Sequence, residues 1–315
     1  MDKGISNIAL ICDDKYLLPA IVLIKSIDEN VNQFKLSIHV IGFNLSQDSF
    51  DRLNSLCVEH VDIYIHHIDE EYLRSRVGKV VQHSHVTMTS LLKFELPNIL
   101  NGINSVLYLD TDIVIKKNIY ELLRIDFEDY YIAAAPELWC ARANHESGIT
   151  YFNSGVLLIN LDLCRVNNIS NRLWIEKQKL LSNKSSKTMD QDALNIVFRG
   201  KTKYIPVEYN MNPYFMQGRY LELVNNYAIE SYRNVEEVSD NIAIIHYVGN
   251  EDKPWVNKNA RLGKVWDEYY LKCGYKLESL ERIEIKKNVR YYVKMIYKLI
   301  NNRGVINTIK YLWRM

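Results

Sequence analysis

The chain has 315 residues, 48% of them hydrophobic and 24% charged, and a net charge of +1. This fits one large soluble globular domain, alone or with an appendage, and the near-neutral charge gives no overall reason to expect nucleic acid as a partner. The five cysteines are odd in number and form no C-x-x-C pair, which argues against a disulfide framework or a zinc site and fits a reducing cytosol. The amino terminus lacks the apolar core of a signal peptide, and the run Leu17 to Ile24 is too short to span a bilayer.

Asn7 to Cys12 reads as a buried strand, followed by an acidic turn, Asp13-Asp14-Lys15-Tyr16, and a helix from Leu17 to about Glu29. Nucleotides bind at the carboxyl ends of strands in open α/β sheets, so Asp13 or Asp14 is a candidate for a base edge or ribose hydroxyl. Helix N-capping accounts for one of the two equally well. Lys35 to Phe43 is a second strand, Ser46 to Cys57 an amphipathic helix, and Val61 to His66 an alternating third strand. The series predicts a mainly parallel sheet. No G-x-G-x-x-G or Walker loop is present, which makes a metal-held diphosphate more plausible than a glycine-held one. His85 to Leu100 has helical spacing, and Lys93 within it reads by itself as a snorkelling surface lysine.

Ser105 to Ile115, SVLYLDTDIVI, is the centre of the sequence. Two carboxylates one residue apart, Asp110 and Asp112, interrupt an apolar strand. Burying them demands a cation or dense hydrogen bonding, and hard oxygen ligands suit Mg2+ or Mn2+ serving a substrate phosphate. Two kinds of enzyme carry Asp-x-Asp after a strand: nucleotide-sugar glycosyltransferases, and haloacid-dehalogenase phosphatases, whose D-x-D-x-[TV] pattern Asp110, Asp112 and Val114 satisfy. The phosphatase pattern normally lies near the start of its domain, whereas about a hundred residues of α/β structure precede it here. The stretch Lys116 to Leu123 and a strand at Tyr130 to Ala135 follow.

Tyr151 to Leu161, YFNSGVLLINL, opens a very apolar strand with Asn153, Ser154 and Gly155, residues small enough to let a substrate approach the backbone. Asp162 is expected to cap a helix running to about Leu181. Asp190, Gln191 and Asp192 open another helix, and capping accounts for only one of them. In Asn241 to Trp255 a strand delivers His246, followed by a loop with Gly249, Lys253 and Trp255, a mix suited to phosphate and ring contacts.

Taken together, in this order and spacing, VLYLDTD, YFNSGVLLIN, DQDALN and HYVGNEDKPW resemble glycosyltransferase family 8, which includes bacterial lipooligosaccharide galactosyl- and glucosyltransferases and, more distantly, glycogenin. The resemblance implies a GT-A fold: α/β, Rossmann-like, with a mixed and mainly parallel sheet flanked by helices, over residues 1–275. It implies retaining transfer of glucose or galactose from a UDP-sugar to a glycan acceptor. Asp110, Asp112 and His246 would hold Mn2+, with Mg2+ as the alternative. Cys12, Asp13 and Tyr16 would face the uridine. Asn153 and Asp190 would hold donor-sugar hydroxyls, with Ser154 and Thr111 beside the donor. Gln191 would lie beneath the anomeric carbon, with Asp190 as the alternative catalytic group. Gly249 and Lys253 would meet the diphosphate, and His85 and Val248 would face the acceptor. Lys93 stands seventeen residues before Asp110, where the family often has arginine, so the charge is kept and the bidentate fork lost. The loop from Gly249 to Lys253 is one residue longer than in bacterial galactosyltransferases. A catalytically silent nucleotide-sugar- or membrane-binding module is the other class of reading.

Residues 276–315 read as a separate tail. Lys286, Lys287, Arg290, Lys294, Lys298, Arg303, Lys310 and Arg314 have no acidic partner after Glu284. Val289, Tyr292, Val293, Ile296, Tyr297 and Ile300 share a helical face opposite the cations. Such a helix fits an anionic membrane surface, reached from residues 286–315, and an acceptor hanging from a lipid at the inner face of a bacterial cytoplasmic membrane. Packing on the domain or an oligomer contact would use the same face.

Overall fold

The computed structural model describes residues 6–31, 35–77, 88–140, 148–183 and 190–284. Its centre is a seven-stranded sheet. The strands are β1 (Asn7–Cys12), β2 (Leu36–Phe43), β3 (Val61–Ile68), β4 (Ser105–Leu109), β6 (Ile132–Pro136), β7 (Phe152–Asn160) and β8 (Thr202–Tyr204), in the order β3-β2-β1-β4-β7-β6-β8. β7 runs antiparallel to both its neighbours, while the β1, β2, β3 and β4 pairings and that of β6 with β8 are parallel. The mixed, mainly parallel sheet is therefore as the sequence implied.

The apolar run after the Asp pair does not continue this sheet. β5 (Ile113–Ile115) turns away and pairs antiparallel with β9 (Ile244–His246), placing Ile113 opposite His246. The helix Leu17–Asn30 packs beneath this ribbon. It is apolar almost all round because one side meets the sheet core and the other the core under the ribbon. Its Ser26 Oγ accepts from the Ile115 N–H at 3.0 Å, and its Asn30 amide donates to the Ile115 carbonyl at 3.1 Å.

Several elements differ from expectation. The segment after Leu161 is two helices, Leu161–Val166 and Ile169–Ser182, and its cap is Asn160, whose side chain accepts from the Leu163 N–H. Asn168 breaks it at φ +49°, a left-handed conformation that asparagine adopts more readily than most residues. The helix ending at Leu100 is also divided, into Met88–Leu91, a tighter 3-10 turn Leu92–Glu95, and Leu96–Ile99. Pro97 has no N–H to bond back into the preceding turn. Within the stretch Lys116–Leu123, residues Tyr120–Leu123 form a short helix. Residues past 275 contact the preceding chain: Arg282 pairs with Asp267, and the Ile283 N–H bonds the Val256 carbonyl at 2.9 Å. Among the described residues, no helix is long and apolar enough to cross a membrane. The basic tail from 286 and His85 lie outside the described residues.

Candidate active site

Asp110 and Asp112 sit where the chain leaves one sheet for the other. The Asp110 N–H still bonds the Gly155 carbonyl of β7 at 2.8 Å, and the Asp112 carbonyl accepts from Tyr247, just after β9, at 2.8 Å. The turn is thus held from both sheets, and His246 arrives between them. One ligand atom from each of Asp110, Asp112 and His246 lies within 4.8 Å of the others. His246 Nε2 is 3.2 Å from Asp112 Oδ1 and 3.7 Å from Asp110 Oδ2. Two carboxylates and one imidazole fit a divalent ion such as Mn2+.

The remaining oxygens are already engaged. Asp110 Oδ1 accepts from the Tyr108 hydroxyl at 2.6 Å and lies 3.0 Å from Lys93 Nζ, which leaves Oδ2 turned toward His246. Asp112 Oδ2 lies 3.1 Å from Lys253 Nζ. Burial works against the Asp112 carboxylate, but His246 and Lys253 outweigh it and hold its pKa well below the usual range. Burial likewise opposes the charge on His246, and Asp112 and Asp110 overcome it, raising its pKa.

Lys93 is not a surface lysine: its relative exposure is 5%, and its ammonium lies 2.6 Å from Asp190 Oδ2 as well as 3.0 Å from Asp110. The two carboxylates reverse the effect of burial and raise its pKa. Asp190 precedes helix Gln191–Val197 but makes no side-chain cap, and its Oδ2 accepts from Ser154 Oγ at 3.0 Å as well as from Lys93. The Gln191 side-chain oxygen accepts from the Ser154 N–H at 2.9 Å. Helix and strand are thus locked together beside the Asp pair.

Other residues fall differently from expectation. The Cys12 side chain is fully buried in the core, and burial beside Asp13 and Asp14 pushes its thiol up to about 12, so its own contact with a nucleotide could come only through the backbone. Asp13 caps the turn, accepting from the Lys15 and Tyr16 N–H groups at 3.1 Å, while Asp14 is tied to Ser46. Asp13, Tyr16 and Thr111 nevertheless line one cleft with Asp110 and Asp112, across the carboxyl ends of β1 and β4. The Tyr16 hydroxyl accepts from Lys253 at 2.8 Å. Gly249 adopts φ +85°, and Val248 is half-buried after His246. Gly155 serves close packing within the protein: a Cβ there would lie 2.2 Å from His246 Cε1 and 3.0 Å from Asp110 Oδ2.

The sequence reading missed Tyr108, Thr89, Ser90, Glu137 and Asn210. Thr89 and Ser90 line the cleft with Tyr108. Tyr108 could have been found, since two residues before Asp110 on a strand means the same face. Glu137, just after β6, accepts from the Asn153 amide at 2.7 Å. Asn210 joins His246 to Asn153, with 2.9 Å at each contact, and nothing in its sequence neighbourhood signals that role.

Comparison with known proteins agrees with this geometry. The profile of glycosyl transferase family 8 matches residues 7–259. The chain belongs to glycosyl transferase family 8. It is 28% identical to a lipopolysaccharide 1,2-glucosyltransferase of Escherichia coli over 97% of this chain and 90% of that one. It is 28% identical to a lipopolysaccharide 1,3-galactosyltransferase of Salmonella typhimurium over 79% and 72%. The crystal structure of the galactosyltransferase LgtC in complex with donor and acceptor sugar analogs shares the fold, with TM-score 0.65 and 21% identity over 91% of this chain and 99% of that one.

Proposed function

We propose that this family 8 chain transfers glucose or galactose from a UDP-sugar to a saccharide acceptor carried on a lipid, with retention at the anomeric carbon, in the building of lipopolysaccharide or another surface glycan. The observation that carries this is the convergence of Asp110, Asp112 and His246 beside the cleft, with Lys253 and Lys93 against the same carboxylates. The sugar and acceptor classes are supported by the two lipopolysaccharide transferase relatives.

The three ligands would hold Mn2+ or Mg2+, which when bound supplies positive charge for the donor diphosphate. Lys253 would exchange its Asp112 contact for that diphosphate, guided by the left-handed turn at Gly249 and steadied by Tyr16 and Trp255. Asp13 and Tyr16 would meet the uridine across the cleft they share with the Asp pair. Thr111 would lie beside the donor, and Asp190, oriented by Lys93 and Ser154, would hold a sugar hydroxyl. Gln191 would lie beneath the anomeric carbon. An amide is a poor nucleophile, and Asp190 Oδ2 is held by two donors, so we favour same-face attack, with a donor phosphate oxygen taking the acceptor proton. Detection of a glycosyl adduct on Asp190 would overturn this preference.

Besides His85 and Val248, we propose an aromatic ledge as an acceptor contact. Trp139, 54% exposed, packs on Tyr214 at 4.4 Å and on Phe215 at 5.1 Å, only two residues beyond Glu137. Such rings suit the apolar face of a sugar. The basic segment 286–315 would bring the enzyme to the anionic inner surface of the cytoplasmic membrane, where a lipid-linked acceptor resides.

The deciding experiment is UDP release from a panel of UDP-sugars with Mn2+, with and without chelator, for wild type and Asp112→Ala. The expected result is metal-dependent turnover of one donor, lost in the variant. Binding of UDP with no donor turned over, even when lipid-linked saccharides are supplied, would favour a silent module. Absence of both UDP and Mn2+ binding would refute the chemistry.

A further inference from the structure

We propose that Asn210 is the positioning residue of the metal site, fixing the His246 ring with Nε2 bare toward the ion, and that Asn153 acts through Asn210. This role rests on the metal site proposed above and on the direction of a hydrogen-bond chain. Two of its members cannot reverse. The Gly155 backbone N–H can only donate, and it donates to Asn153 Oδ1 at 2.9 Å. The Glu137 carboxylate accepts, and it receives the Asn153 Nδ2 at 2.7 Å. Together they set which way the Asn153 amide faces, because a flipped amide would oppose donor to donor at Gly155 and acceptor to acceptor at Glu137. Asn153 Oδ1 then accepts from Asn210 Nδ2 at 2.9 Å, which orients the Asn210 amide in turn. Its Oδ1 is left facing His246 Nδ1 at 2.9 Å, and an oxygen there requires a hydrogen on Nδ1. With Nδ1–H committed, Nε2 is the nitrogen available between Asp110 and Asp112.

The His246 end of the chain is enclosed. Asn210 is 8% exposed and His246 5%, so water is a poor substitute for the Asn210 amide. Gly155 contributes twice, through its N–H to Asn153 and through its missing Cβ, which leaves room for the His246 ring. Asn153, expected from the sequence to hold donor hydroxyls, thus spends its oxygen and one amide hydrogen inside the protein.

The test is Mn2+ binding by wild type, Asn210→Leu, Asn210→Asp and Asn153→Ala. Binding is followed by the electron paramagnetic resonance of free Mn2+. The spin-echo nitrogen modulation from coordinated imidazole is read on bound Mn2+, with His246→Gln as the reference for its loss. Asn210→Leu, which keeps the branching of the side chain but has no acceptor, should weaken Mn2+ binding roughly 10- to 100-fold and diminish the nitrogen modulation. Asn210→Asp, which keeps an acceptor for Nδ1–H, should restore both. Asn153→Ala frees the Asn210 amide to flip and should weaken binding in the same direction, which decides the matter if Asn210→Leu does not fold. Unchanged Mn2+ affinity and modulation in a folded Asn210→Leu, or in Asn153→Ala if the leucine variant does not fold, would overturn the role of Asn210 while leaving the metal reading intact. Wild-type protein that binds no Mn2+ would overturn both.

Discussion

Replacing Gly155 by alanine adds one methyl group at the most crowded point of the site. Its Cβ would stand 2.2 Å from His246 Cε1 and 2.7 Å from Nδ1, against an ordinary contact distance of 3.4 Å or more, so the ring must retreat by about 1.2 Å. The ring has little room to do so: it is buried, bonded to Asn210, and carried by a strand paired with β5. Metal–ligand distances tolerate deviations of only about 0.2 Å, so a shift of this size removes His246 from any shared ion. The expected loss in Mn2+ affinity is at least about tenfold, no smaller than losing a supporting hydrogen bond would give. Overpacking of this kind should cost about 1–3 kcal/mol in stability. Isothermal titration with Mn2+ and denaturant unfolding measure the two effects separately. A folded Gly155→Ala protein with wild-type Mn2+ affinity would refute the packing argument.

Lys93→Met would leave the buried Asp190 and the half-buried Asp110 without their shared cation and should destabilise the fold by about 3–5 kcal/mol in urea unfolding. Lys93→Arg should recover only part, since the space fits a point charge rather than a fork; full recovery would show that charge alone matters. At the far edge of the sheet, His39 Nδ1 lies 3.0 Å from His66 Nε2, and burial together with His66 lowers the His39 pKa to about 4. A depressed folded-state pKa means stability is full above the unfolded value near 6.5 and falls as the pH drops toward 4, by on the order of 2–3 kcal/mol. Denaturant midpoints against pH should therefore slope across that window in wild type and flatten in His39→Gln; equal slopes would exclude the pair as the cause. Trp139→Ala should raise the KM for a saccharide acceptor by roughly 2- to 10-fold with the donor KM unchanged, and a change confined to the donor would move the ledge to the other substrate.

The parallel half of the sheet was legible because buried strands and the helices between them write their period directly into the chain. Asp110 and Asp112 stood out because carboxylates inside an apolar strand are costly without a partner. Lys93 was misjudged from its own segment: a lysine among apolar residues looks like any snorkelling lysine until the carboxylates that surround it arrive from β4 and from the turn at Asp190. Gly155 was seen as small, but what its smallness admits, His246 and Asp110, lies 91 residues later and 45 earlier in the chain. Asn210 and Glu137 gave no signal at all, because a supporting amide or carboxylate is ordinary surface chemistry except where its partners converge. The sequence alone determined which groups must be neutralised and where strands and helices run, since those follow from local pattern and the cost of burial. Only the tertiary structure decided which cation answers which carboxylate and which nitrogen of His246 faces the Asp pair. Those contacts join residues far apart in the chain, and their directions are set by hydrogen-bond partners with no local trace.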